Sequence, residues 1–268
     1  MKFFLAPMQG LTGYTVRNSF HHHFDYIDKY YTPFIPAAKR MNAKIKRDID
    51  PVNNDGITLI PQAMSIVADE VIDLHRQLVP YGYDEINVNL GCPSGTVVSK
   101  KRGSGILAYP DMLDSFLDDL YTKADFPVSI KTRVGFNDDE LWPRLIEIYS
   151  KYPISELTVH PRVQKDFYKN MPRMDDFALA MQKINPDKTI LCYNGEITDI
   201  NSFNALTDCF PDIDEIMIGR GLFANPALIA ELKGISMDKA ELRERLKNWH
   251  DEILSGYLSI FSLSLIHI

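Results

Sequence analysis

Cysteine is scarce in this chain. Cys92, Cys192 and Cys209 are three in 268 residues, an odd count with no metal-ligand spacing. That excludes a disulfide framework and suits a reducing compartment, so a cytoplasmic protein is expected. Long apolar runs are also lacking. None reaches the ~18 residues that span a bilayer, and no membrane contact is expected. The opening Met1-Lys2-Phe3-Phe4-Leu5-Ala6-Pro7 is too short for a signal peptide and is cut off by Gln9-Gly10. It reads as a first strand. No G-x-G-x-x-G follows it, which counts against an open dinucleotide-binding sheet. Positive charge is in deficit, with a net charge of −7. By itself that speaks against a nucleic-acid partner.

The distribution of charge says something different. Residues 1–48 hold eight Lys/Arg against three Asp, so the remainder carries −12. Five of the eight fall between Lys39 and Arg47, among them Lys44, Lys46 and Arg47. A second group is Lys100-Lys101-Arg102. Such patches hold phosphates even on an acidic protein, or are simply solvated faces.

The chain is 45% hydrophobic, enough for one large core. Strand-like runs cover 3–8, 26–31, 58–64, 85–91, 128–134, 156–162, 189–194 and 215–219. Helical spacing lies between them at 67–79, 111–121, 138–149 and 174–184. Strand–helix alternation implies a parallel sheet. The economical solution is an α/β fold, a (β/α)8 TIM barrel over residues 1–235. Residues 236–258 read as helix, with Asp238 near its start.

Polar motifs close these strands: Asn87-Val88-Asn89-Leu90-Gly91-Cys92-Pro93, Lys131-Thr132-Arg133, His160-Pro161-Arg162, Asn194-Gly195-Glu196 and Gly219-Arg220-Gly221. In a barrel all these ends face one mouth. Alternate residues share a face, so Lys131 joins Arg133, His160 joins Arg162, Asn87 joins Asn89, and Gln62 joins Met64. One inward polar pair passes as a satisfied core network; four in a row point to a ligand. Asn194-Gly195-Glu196 and Gly219-Arg220-Gly221 sit at strands seven and eight, where barrels often hold phosphate. Cys92 starts a loop on the presumed active face, and proton donor is its best role. Cys192 and Cys209 read as buried structural thiols. His21-His22-His23 point about 100° apart on a helix, so no metal site is expected there.

These residues resemble the tRNA-dihydrouridine synthases, a flavin-dependent family, from Ala6-Pro7-Met8 to about Pro226. The most specific stretch is Asn89-Leu90-Gly91-Cys92-Pro93-Ser94-Gly95-Thr96-Val97-Val98 with Gly103-Ser104-Gly105. The resemblance implies FMN across the barrel mouth, reduced by NADPH or NADH, and reduction of uridine to 5,6-dihydrouridine in tRNA. Pro7, Met8 and Gln9 would pack around the flavin, and Gln62, Lys131 and His160 would meet its ring. Asn194, Gly195, Glu196, Gly219 and Arg220 would hold its phosphate end. Cys92 would protonate C5 as hydride reaches C6. Asn89 and Arg162 would hold a uridine swung out of its stack. Lys44, Arg47 and Lys100 would face tRNA phosphates. The family resemblance also implies a monomer. Two departures are Glu196, where Asp is frequent, and Pro161, where glycine is common.

The resemblance further makes 236–262 the first part of a helical tRNA-binding domain that is cut short. The last residues, Leu263-Ser264-Leu265-Ile266-His267-Ile268, translate CTG TCT CTT ATA CAC ATC, the transposase mosaic end of sequencing adapters. A non-native tail is expected, and the source DNA past the last codon decides it. Competing readings are an FMN barrel acting on a free pyrimidine or small alkene, and a non-catalytic RNA-binding barrel.

Overall fold

The computed structural model describes residues 1–37 and 40–265, with side chains to residue 260. Lys39 and residues 266–268 of the expected tail lie outside the described residues, and the tail's other side chains are not described.

The strands are β1 (Lys2–Leu5), β2 (Lys29–Tyr31), β3 (Ile35–Pro36), β4 (Leu59–Ile60), β5 (Gln62–Met64), β6 (Ile86–Leu90), β7 (Val128–Gly135), β8 (Glu156–Val163), β9 (Ile190–Tyr193) and β10 (Glu215–Ile218). The helices up to the middle of the chain are α1 (Tyr14–His23), α2 (Ala43–Ile49), α3 (Ala68–Leu78), α4 (Gly95–Val98) and α5 (Pro110–Lys123). Then come α6 (Trp142–Tyr149), α7 (Met174–Lys183), α8 (Ile200–Cys209), α9 (Arg220–Ala224), α10 (Leu228–Leu232) and α11 (Lys239–Leu265).

The hydrogen-bonded order is β3-β5-β6-β7-β8-β9-β10-β1-β2-β4, and the pairings are parallel. The order closes on itself, because β4 and β5 are one strand divided at Pro61. β4 pairs with β2, while β5 pairs with β3 and β6. Proline has no N–H for the ladder. Its carbonyl still accepts from Asn87 N (2.9 Å), and the Thr32 hydroxyl accepts the Gln62 N–H (2.9 Å). β2 and β3 are likewise halves of the second strand, separated at Thr32-Pro33-Phe34. Ten segments therefore make the eight expected strands, and the fold is a (β/α)8 barrel.

Alternation sorts the strand side chains. Phe3, Leu5, Tyr30, Val88 and Ile130 are buried in the large cluster shared with the helices. Phe4, Tyr31, Ile60, Cys192 and Met217 form a second buried cluster inside the barrel. Beside it the Glu156 carboxylate accepts from Lys29 (2.7 Å), Tyr31 (2.7 Å) and Thr158 (2.8 Å). Full burial of each large apolar side chain contributes about 1.5–3 kcal/mol. Most of the fold's stability therefore sits away from the mouth.

Two expectations are corrected here. α6 starts at Trp142 rather than at residue 138. Pro143 is tolerated in a first turn, but in a helix begun at 138 it would remove an interior hydrogen bond. Cys209 is exposed, whereas Cys192 is buried as expected. Cys209 ends α8, a helix that buries only Leu206.

α11 begins where Asp238 Oδ1 accepts from Ala240 N (2.8 Å) and Glu241 N (2.9 Å). It runs along α1, with Trp249 edge-on to Phe20 at 5.3 Å and Ser19 Oγ donating to Trp249 O (2.7 Å). His22 Nδ1 and His23 Nε2 each meet one oxygen of Glu252 at 2.8 Å, while His21 pairs with Asp25. Adjacent histidines reach one carboxylate because they use different ring nitrogens and different oxygens. Among the described residues no helix is long and apolar enough to cross a membrane, and no group of three ligating side chains is set to hold a metal.

Candidate active site

A cavity of about 420 Å³ opens at the C-terminal ends of the strands. That size falls within the range of small-molecule sites, about 300–1,000 Å³. Its wall includes Pro7, Met8, Gln9, Gln62, Asn89, Cys92, Lys131, His160, Arg162, Asn194, Gly195, Gly219 and Arg220. Thirteen residues singled out in the sequence thus meet in one place. Glu196 stands behind the wall, and Lys44, Arg47 and Lys100 lie outside it. Lys44 and Lys100 are exposed, on α2 and on the turn after α4.

The loop after β1 supplies Pro7, Met8 and Gln9. Thr12 ties it, accepting from Met8 N (2.9 Å). Arg17, fully buried on α1, fastens the loop's end by donating to Thr12 O (2.7 Å), Asp48 O (2.6 Å) and Asn54 Oδ1 (2.9 Å). No motif marks Arg17, and only its burial shows its part.

β5, β6 and β7 supply Gln62, Asn89 and Lys131 on neighbouring strands. Asn89 Oδ1 accepts from Gly91 N (3.1 Å) and Cys92 N (2.8 Å), and its Nδ2 donates to Gln62 Oε1 (2.7 Å). Most of its hydrogen-bonding capacity is therefore spent on the cysteine turn, leaving one N–H for a ligand. Gly103, at φ +54°, lets the following loop lie against Cys92, since a Cβ there would sit 2.7 Å from Cys92 O. Burial pushes the Cys92 thiol up, against the pull of the Ser94 N–H and of Arg133 and Lys131. The thiol stays protonated at neutral pH, which fits a proton donor better than a nucleophile.

From β7 onward the lining is rich in basic side chains. Lys131 donates to Asn194 Oδ1 (2.5 Å), while burial, then the Arg133 charge, push its ammonium down to about 7. Arg162 Nη1 lies 3.2 Å from His160 Nε2. A guanidinium only donates, so Nε2 accepts and the proton sits on Nδ1. Burial, then Arg133, Lys131, Arg162 and Arg220, hold His160 well below its ordinary value, so it is neutral. Glu196 accepts from both Arg162 and Arg220, fixing the two guanidiniums at the rim.

The two glycines of the expected phosphate end differ. A Cβ on Gly195 would come within 1.9 Å of Tyr193 Oη, so packing demands glycine there. A Cβ on Gly219 would meet only ordinary contacts, the nearest being Ala6 Cβ at 3.4 Å. What Gly219 leaves clear is cavity space.

Arg133 and Tyr168 also line the cavity: strand parity put Arg133 on the inward face without a role, and Tyr168 was missed. Arg133 braces three turns through Gly91 O (3.0 Å), Val163 O (2.9 Å) and Phe167 O (2.9 Å). Its position two residues after Lys131 was the available signal. Tyr168 follows Phe167, whose φ of +50° turns the chain back over the mouth. Its ring lies 4.6 Å from the Arg220 guanidinium and 5.6 Å from that of Arg133. No local motif announces such a turn.

The profile of the Dihydrouridine synthase (Dus) family matches residues 4–255. A probable tRNA-dihydrouridine synthase of Staphylococcus aureus strain Mu50 is 33% identical over 190 residues, 69% of this chain and 54% of that protein. The chain thus spans about half the length of that relative. The tRNA-dihydrouridine synthase B of Pasteurella multocida is 26% identical over 87% of this chain and 69% of its own length. Among solved structures, a variant of NCR from Zymomonas mobilis superposes with a TM-score of 0.59 at 11% identity, covering 92% of this chain and 90% of that one. The old yellow enzyme from Trypanosoma cruzi gives 0.59 at 9%, covering 88% and 89%. At such identities these two likenesses speak for the fold alone. The profile match over nearly the whole chain carries the further conclusion: the chain belongs to the dihydrouridine synthase family.

Proposed function

We propose that this protein reduces uridine to 5,6-dihydrouridine in tRNA, with FMN in the barrel mouth and NADPH or NADH as reductant. The observation that carries the reading is the cavity itself. Neutral amide and thiol groups (Gln62, Asn89, Cys92) come from β5, β6 and the loop after it, and cationic groups (Lys131, Arg133, Arg162, Arg220) from β7, β8 and the start of α9. A flat heteroaromatic with an anionic tail matches that division.

The residues fit FMN on two further points. Gly219 leaves space that internal packing does not need, and among the described residues Lys131 holds one hydrogen-bond partner for three donors. Pro7, Met8 and Gln9 would pack beside its ring, with Gln62, Lys131 and His160 also holding the ring. Asn194, Gly195, Gly219 and Arg220 would hold the phosphate end, with Glu196 acting through Arg162 and Arg220. Bound there, FMN would supply two-electron redox chemistry between the nicotinamide and the base. Cys92 keeps its proton in the resting site and gives it to C5. Arg162 and the free N–H of Asn89 orient the base, and neutral His160 cannot compete as a proton donor. Lys44, Arg47 and Lys100 steer the tRNA backbone. In this reading residues 1–235 are the catalytic barrel, residues 236–262 contribute to tRNA grip, and the protein acts as a cytoplasmic monomer.

Titration of the purified chain with FMN tests the cofactor half of the proposal. A saturable, near-stoichiometric shift of the flavin visible spectrum, abolished by Arg220→Glu, is expected. Absence of any spectral change in the folded chain would overturn it.

A further inference from the structure

Behind the Cys92 turn runs a row of buried amides with one direction. Cys92 N–H and Gly91 N–H donate to Asn89 Oδ1. Asn89 Nδ2 donates to Gln62 Oε1 (2.7 Å), Gln62 Nε2 to Asn87 Oδ1 (2.8 Å), and Asn87 Nδ2 to Ser129 Oγ (3.0 Å). The row ends at the Ser129 hydroxyl. Gln62, Asn87 and Ser129 are fully buried, and Asn89 is 8% exposed. The row crosses β5, β6 and β7, where Gln62 pairs with Asn87 and Asn87 with Ser129 in register.

An amide has a donor end and an acceptor end, and only its partners decide which way it faces. Here each amide's direction is set by the next. The Gly91 and Cys92 N–H groups only donate, so Asn89 must give them Oδ1; its Nδ2 then meets Gln62 Oε1, Gln62 Nε2 meets Asn87 Oδ1, and the Ser129 hydroxyl holds the far end by accepting from Asn87 Nδ2. Reversing any one amide would set donor against donor inside a buried network, where an unmade bond is costly. A core network that only satisfied itself would not need to end on the backbone of a reactive residue.

We infer that Asn87 and Ser129, which do not line the cavity, are positioning residues for Cys92, acting through Gln62 and Asn89 to hold the Gly91–Cys92 turn. The inference rests on the proposed role of Cys92 as proton donor.

The test is competitive alkylation of the folded protein with iodoacetamide. Peptide mass spectrometry compares the rate at Cys92 with that at exposed Cys209 as internal reference. Ser129→Ala removes the acceptor at the end of the row, and Ser129→Thr restores a hydroxyl. In Ser129→Ala the Cys92 rate relative to Cys209 is expected to rise at least about threefold as the turn loosens. On tRNA, kcat is expected to fall at least about tenfold with KM nearly unchanged, since a small misplacement of the donor is costly. Ser129→Thr is expected to recover both. Asn87→Asp, which keeps the shape and loses the donor, is read the same way should Ser129→Ala not fold. Unchanged Cys92 reactivity in a folded variant would overturn the inference, as would a fall in kcat without a change in reactivity. A shifted Cys92 rate in a protein whose parent makes no dihydrouridine would leave the positioning role standing and remove the proposed function instead.

Discussion

Lys131→Met separates what the site needs from what the fold tolerates. The Lys131 ammonium is pushed from 10.5 down to about 7, chiefly by burial and then by Arg133. A drop of that size corresponds to about 5 kcal/mol of penalty for carrying the charge in so buried a position. The charge-assisted bond to Asn194 Oδ1, at 2.5 Å, is worth about 1.5–3 kcal/mol and is lost with the lysine. The variant without flavin should therefore gain about 2–4 kcal/mol near pH 6.5, or roughly 5–10 °C in Tm for a chain of this size.

The pH dependence has a fixed sign. The folded pKa lies below the unfolded one, so between about 7 and 10.5 the unfolded chain binds more protons. The parent then regains stability as pH rises, by up to about 1.4 kcal/mol per pH unit, and the variant does not. Thermal unfolding of both proteins from pH 6.5 to pH 9, without flavin, should show the variant's advantage shrinking. The same substitution should weaken FMN binding at least about tenfold by removing a cation from the anion-binding wall. An advantage constant with pH, or a variant less stable than the parent at pH 6.5, would refute the reasoning.

Three further outcomes are expected. Cys92→Ala should bind FMN and oxidise NADPH within about twofold of the parent, while dihydrouridine formation falls about 10²–10⁴-fold; full product formation would remove Cys92 from the acid role. Gly195→Ala places a Cβ 1.9 Å from Tyr193 Oη, whose ring is itself edge-on to Phe177 at 5.0 Å. It should cost about 1–3 kcal/mol in denaturant unfolding and weaken FMN binding, and an unchanged unfolding midpoint would contradict this. Lys44→Glu with Lys46→Glu should weaken tRNA binding and flatten its logarithmic salt dependence by about two phosphate contacts; an unchanged slope would return the cluster to a solvated helix face.

The barrel was legible because parallel strands covered by helices must be short apolar runs separated by helical periodicity. The mouth was legible because strand parity places Lys131, His160 and Arg162 on the inward face. What escaped was tertiary in origin. The interruption at Pro61 matters only because Thr32 and Asn87 mend the ladder around it. Tyr168 reaches the site through one positive-φ turn at Phe167, which has no glycine to mark it. Glu196 was placed with the phosphate by its motif. Its carboxylate instead meets two guanidiniums, a contact that forms only when β8 and β10 are brought beside β9. Cys209 read as buried from residue type, whereas its place at the outer end of α8 decides its exposure.

The most direct test is turnover. The purified chain, supplied with FMN and NADPH, is incubated with an unmodified tRNA transcript, and nucleosides are analysed by mass spectrometry. A gain of two mass units at uridine is expected, dependent on NADPH and lost in Cys92→Ala. A flavin-loaded protein that oxidises NADPH yet leaves every uridine of the transcript unchanged, while reducing a free pyrimidine or small activated alkene, would contradict it.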